Sequence, residues 1–177
     1  MRAVNPDEPV EIVDYDPRRA HSYRGERDRV RLGLATASLK FEHIGSTAVP
    51  GLAGRPIVDL MLGASPTVWA ALEELRPRVV ALGYEDLGEA GVPGRIYFRK
   101  RSALRAFNLA LVEEGGRLWR DNLALRDYLR AHPEEAAAYA AAKRAAIAGG
   151  ATLVAYSAAK APALATLVEK ARAWRGG

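Results

Sequence analysis

HIGSTAVPGLAGRPIVDLML, residues 43–62, decides how this chain is read. An apolar strand ends at Ile44, a Gly-Ser-Thr turn follows at once, and PIVDLML (56–62) reads as a second strand rich in branched residues. Pro50, Gly51 and Gly54 make the connection a loop. Glycine directly after a strand lets a ligand approach the backbone with no Cβ in the way. The N–H groups of Gly45, Ser46 and Thr47, with the Ser46 hydroxyl, therefore form a turn suited to phosphate oxygens. Asp59 lies mid-strand between Val58 and Leu60, where an unpaired carboxylate costs several kcal/mol, so it needs a cation from the chain or a metal. Taken alone, the same residues favour a purely structural reading, in which Asp59 caps a loop or pairs with an arginine.

At 177 residues the chain is long enough for one domain with a real core, here divided into an α/β part (1–114) and a helical C-terminal part (115–177). The absence of cysteine excludes disulfides, zinc-thiolate sites and thiol nucleophiles. Residues 1–20 carry Asp, Glu, Pro and Arg instead of a signal-peptide core, and no apolar run approaches transmembrane length, so a cytoplasmic protein with no membrane partner is expected. A formal charge of +5 favours anions, although the arginines are spread along helices and not massed in a block. Nucleic acid is not expected: aromatic content is 7% and no basic-aromatic stripe appears.

Outward from the opening stretch, VEIVDYDP (10–17) alternates like a short strand, and Asp16-Pro17 predicts the start of an Arg-rich helix running to Ser38. LKFEHI (39–44) is the entering strand. A helix opens at Pro66, with Val68, Trp69, Leu72 and Leu75 turned to the core. YEDL, RIYFRK and AFNLALV follow as three short strands in meander order, the first two separated by GEAGVPGR. Two helices are predicted over 117–131 and 133–148, a cap and hinge at Gly149-Gly150, and a last helix from Ser157 to Arg175. The class is α+β with a helical C-terminal third.

The run HIGSTAVPGLAGRPIVDL resembles the signature of the GrpB family, small bacterial proteins placed in the nucleotidyltransferase superfamily. GEAGVPGRIYFRK (88–100), LRDYLRAHPEEAAAYAAAKR (125–144) and YSAAKAPAL (156–164) resemble its later blocks in the same order. The resemblance implies a nucleotidyltransferase-like mixed β-sheet flanked by helices, with the Gly-Ser turn entering a nucleotide site. In active members of that superfamily two carboxylates at i and i+2 of the next strand, which share a face, hold divalent metals, and a third acid on a later strand completes the site.

This sequence supplies part of that set. Gly45, Ser46 and Asp59 match, but the position two beyond Asp59 is Met61, and the later strand reads Asn108-Leu109-Ala110 where the family commonly shows His-Leu-His. The resemblance thus implies binding of a nucleoside triphosphate or another phosphate-containing small molecule, with magnesium-dependent nucleotidyl transfer resting on an incomplete carboxylate set. The alternative is a non-catalytic module for a nucleotide or CoA-like ligand. Candidate phosphate ligands are Gly45, Ser46, Thr47, Arg99, Lys100 and Lys160; Asp59 is the catalytic and metal candidate, with Glu42 or Glu89 as replacement ligands. His43 is placed to orient the turn, and His132, before Pro133, to cap a helix end.

Overall fold

The computed structural model describes residues 8–35, 38–148 and 150–176. Its centre is a five-stranded mixed sheet ordered β1-β2-β5-β4-β3, with β1 at Leu39–Ile44, β2 at Val58–Ala64, β3 at Glu85–Asp86, β4 at Arg95–Arg101 and β5 at Ala106–Glu113. Only β2 and β5 run parallel, and their register sets Asp59 beside Asn108 and Met61 beside Ala110.

Strand alternation sorts the side chains onto two faces. Leu60, Leu62, Phe98, Leu109 and Leu111 point to one face, where α1 (Arg18–Leu34) and α3 (Leu72–Ala81) cover them with Val30, Leu34, Leu75 and Val79. Asp59, Met61, Asn108, Ala110 and Val112 point to the other. Part of this second face is closed by α4 (Arg117–Ala131), whose Trp119 and Leu123 pack on Ile44, Met61 and Val112. Trp119 lies flat on the strand because Gly63 has no side chain; a Cβ there would come within 2.6 Å of the indole ring.

The C-terminal helices α4, α5 (Pro133–Ala145) and α6 (Leu153–Gly176) share a core in which Tyr128, Leu129, Tyr139, Ala140, Leu167 and Ala171 meet Val49, Leu52 and Ala53 of the loop after the Gly-Ser turn. That loop is thereby tied to helices roughly a hundred residues downstream. Among the described residues no helix is long and apolar enough to cross a membrane.

Several boundaries differ from the sequence expectation for physical reasons. VEIVDYDP forms no strand: a single isolated bridge, Val13 to Gly54, falls within it and another, Pro9 to Thr152, just before it, and neither offers a continuous edge to pair with. The first helix ends at Leu34, with Ala35 in the left-handed conformation that closes a helix; residues 36 and 37 of its expected last turn lie outside the described residues. Asp16 does serve its start, accepting a 3.0 Å hydrogen bond from the Arg18 N–H. The helix opening at Pro66 is two pieces, α2 (Pro66–Ala70) and α3, with a break at Ala71 and Pro77 inside the second. The helix after Pro133 stops at Ala145, and the last helix begins at Leu153 instead of Ser157. Gly150 turns the chain with φ +85°, while Gly149 falls outside the described residues.

Candidate functional site

The second sheet face, α4 and α6 enclose a cleft of about 640 Å³. Its floor is the start of β2 and the Gly-Ser turn after β1. Gly45 adopts φ 72° and ψ −172°, a conformation reserved for glycine, and Asp59 packs against it so closely that a Cβ at Gly45 would overlap the Oδ2 atom. Ser46 starts a single 3₁₀ turn, Ser46–Ala48. The turn is held from outside the cleft: His43 Nε2 and the Thr47 hydroxyl are 2.9 Å apart, His43 stacks on Tyr23 at 4.4 Å, and Arg130 donates to the Ala48 carbonyl at 2.8 Å. Burial, with the fields of Arg130 and Arg126, holds the His43 imidazole neutral, its pKa lowered to about 4.

Asp59 accepts a 2.7 Å hydrogen bond from Asn108 Nδ2, and Asn108 Oδ1 in turn accepts from Arg101 at 3.0 Å. Burial raises the Asp59 pKa above the ordinary carboxylate value, opposed by the Asn108 bond and by the charges of Arg55, Lys160 and Arg101. Alternation along β4 sends Arg95, Tyr97, Arg99 and Arg101 into the cleft. Lys143 reaches in from α5: it is 1% exposed, donates to the Ala53 carbonyl, lies 2.8 Å from the Ser46 hydroxyl and sits 4.6 Å from the Tyr139 ring centroid. Burial, helped by Lys160 and Arg144, lowers its pKa to about 7 against the pull of Asp59. Lys160 on α6 lies 5.0 Å from the Tyr156 ring. Seven basic side chains line this cleft against two carboxylates, Asp59 and Glu8, so its field favours an anion.

A family model described as GrpB protein matches residues 9–170. The chain belongs to the GrpB family. The GrpB crystal structure from Enterococcus faecalis superposes with a TM-score of 0.75 at 25% identity, covering 90% of this chain and 98% of that one. UPF0157 protein YqkA of Bacillus subtilis is 34% identical over 139 residues, which is 78% of this chain but 40% of YqkA; the chain spans less than half that relative's length. The Cid1 poly(U) polymerase shares the fold, with a TM-score of 0.53 at 17% identity over 82% of this chain and 49% of its own. The architecture is thus nucleotidyltransferase-like.

Of the residues singled out from the GrpB resemblance, the fold brings Gly45, Ser46, Asp59, Arg99 and Lys160 to the cleft. Thr47 is buried behind the turn on His43. Lys100 shares its strand face with Phe98 and points under α1, where it pairs with Glu26 at 2.8 Å beside Tyr84. Glu42 is paired with Arg126 at 2.6 Å, and Glu89 accepts from the Gly94 N–H in an exposed turn. His132 Nδ1 lies 2.9 Å from the Tyr128 carbonyl at the end of α4, as its place before Pro133 suggested. Arg55, Arg101, Asn108 and Lys143 take larger parts than the sequence indicated. Arg55 had a signal, standing between the two glycine-bearing halves of the loop and β2. Lys143 had none, since its Ala-rich helix shows no polar pattern that marks it.

The side chains present do not fit a magnesium site. Among the described residues no three His, Asp or Glu groups converge. Magnesium demands octahedral oxygen ligands, yet the second carboxylate position is Met61, 0% exposed beneath Trp119, and its neighbour across the parallel pair is Ala110. The oxygens that remain already face donors: Asn108 Oδ1 faces Arg101, the Ser46 hydroxyl faces Lys143, and Glu8 faces Arg99 at 3.3 Å.

Proposed function

We propose that this GrpB-family protein binds a nucleotide or related phosphate-containing small molecule in the cleft, with Gly45 and Ser46 beneath the phosphates and Arg99, Arg101 and Lys160 around them. The observation that carries this reading is the excess of basic side chains converging on a glycine-led turn at the floor of a cavity large enough for a nucleotide. The Cid1 polymerase, which shares only the fold, has been crystallised with Mg and 3′-dATP and with MgGTP, which supports a nucleotide as the first ligand to try.

A second reading, transfer of a nucleotidyl group from a nucleoside triphosphate, draws on one observation: the Asp59 carboxylate stands against Gly45 at the turn. Titration calorimetry with ATP, GTP, CTP and UTP, followed by an assay for pyrophosphate release, separates the two. Binding weakened by Ser46→Ala and Arg101→Met with no pyrophosphate release supports the binding module. Release that disappears in Asp59→Asn supports transfer. No binding of any triphosphate removes the transfer reading and the nucleotide form of the first.

A further inference from the structure

The misfit between this cleft and a divalent metal carries its own conclusion, which rests on the phosphate-binding reading above. Two cations, Arg55 from the loop and Lys160 from α6, act on Asp59 and line the cleft, and among the described residues neither side chain has a hydrogen bond or ion pair. Each of the other basic groups is engaged. Arg95 donates to the Glu89 and Ala90 carbonyls, Arg99 to Glu85 and Glu8, Arg101 to Asn108 and the Phe107 carbonyl, Arg126 to Glu42, and Lys143 to the Ala53 carbonyl. The two uncommitted cations thus act on Asp59, the acid at the position where a metal-dependent site places its ions. A divalent cation brought there meets like charge from Arg55 and Lys160, and finds the Asp59 carboxylate with one oxygen already accepting from Asn108 and the other packed on Gly45.

We propose that Arg55 and Lys160 replace the metal, so that the cleft takes a metal-free phosphate ester or pyrophosphate group and neutralises it with side chains alone. Asp59 is bonded to neither cation and acts on them through its field alone, which lowers the cost of gathering like charges in an empty cleft. The guanidinium of Arg55 offers a bidentate fork to phosphate oxygens, and the Lys160 ammonium a point charge. Magnesium competes for the same oxygens, and its complex with a pyrophosphate group is the weaker ligand.

The test is calorimetry of the full chain with inorganic pyrophosphate and with ATP, each in chelator and in excess magnesium, on wild type, Arg55→Met and Lys160→Met. Among the described residues neither side chain makes a hydrogen bond or ion pair, and Lys160 gives up only its place over the Tyr156 ring, so both variants are expected to fold, which their thermal melting checks. Affinity in chelator equal to or above that in magnesium, with each variant weaker by about tenfold or more, is the expected result. Binding that requires magnesium overturns the inference while leaving the phosphate reading intact, as does wild-type affinity in both variants. Binding in neither solution removes the phosphate reading itself.

Discussion

Lys143 and Ser46, 97 residues apart, meet at 2.8 Å beneath the floor of the cleft, and the same ammonium donates to the Ala53 carbonyl at the far end of the loop. One side chain from α5 thus clamps both ends of the segment that carries the Gly-Ser turn. Because the amine is out of water, its pKa falls from 10.5 to about 7. Between those values the unfolded chain holds a proton that the folded chain does not, so stability rises as pH climbs from about 7 to about 10.5. Urea midpoints across that range, compared with those of Lys143→Met, are expected to show a rise in wild type that the variant lacks.

His43 makes a second window of the same sign at lower pH. Its pKa drops from 6.5 to about 4 on folding, so below 6.5 the unfolded chain takes up a proton first. The contribution lost on acidification is on the order of 3 kcal/mol. Relative to His43→Gln, wild-type stability should decline between pH 6.5 and 4 and level off below it.

Gly45→Ala sets a Cβ against Asp59 Oδ2 in a backbone conformation that L-residues avoid. A loss of roughly 2–4 kcal/mol is expected by denaturant unfolding, together with loss of ligand binding, because the strained turn and the displaced carboxylate are the same piece of structure.

Lys100→Met separates stability from binding. Its ammonium neutralises Glu26, 7% exposed under Tyr84, on the sheet face away from the cleft. The variant leaves Glu26 only the looser Arg29 pair at 3.8 Å and the Tyr84 hydroxyl, a loss of roughly 1–3 kcal/mol read as a lower melting temperature. Ligand affinity measured by calorimetry should not change.

The contrast between Arg99 and Lys100 shows what was legible in the sequence. The strand RIYFRK was visible, and period-two alternation alone forbids both basic residues from sharing a face, so taking both as phosphate ligands set two incompatible demands on one strand. The turn, Asp59, Lys160, the missing acid at Met61 and the missing histidine at Ala110 could likewise be read from local pattern and block resemblance. VEIVDYDP was misleading for the reverse reason: its alternation is real, but a strand also needs a neighbour, and Val13 finds a single bridge, to Gly54. Lys143 was illegible because nothing local distinguishes it from a solvated lysine on an Ala-rich helix; its burial arises only when α5 docks on the loop at Ala53.

The seat of Trp119 on Gly63 acts at a distance. The helix pinned there also lends Leu118, Asn122, Leu125 and Arg126 to the wall of the cleft. A methyl group at position 63 would jack the near end of that helix off the sheet and tilt the whole wall outward. The aperture through which a ligand enters is therefore calibrated by a single hydrogen atom on the second strand, in a place that touches no ligand.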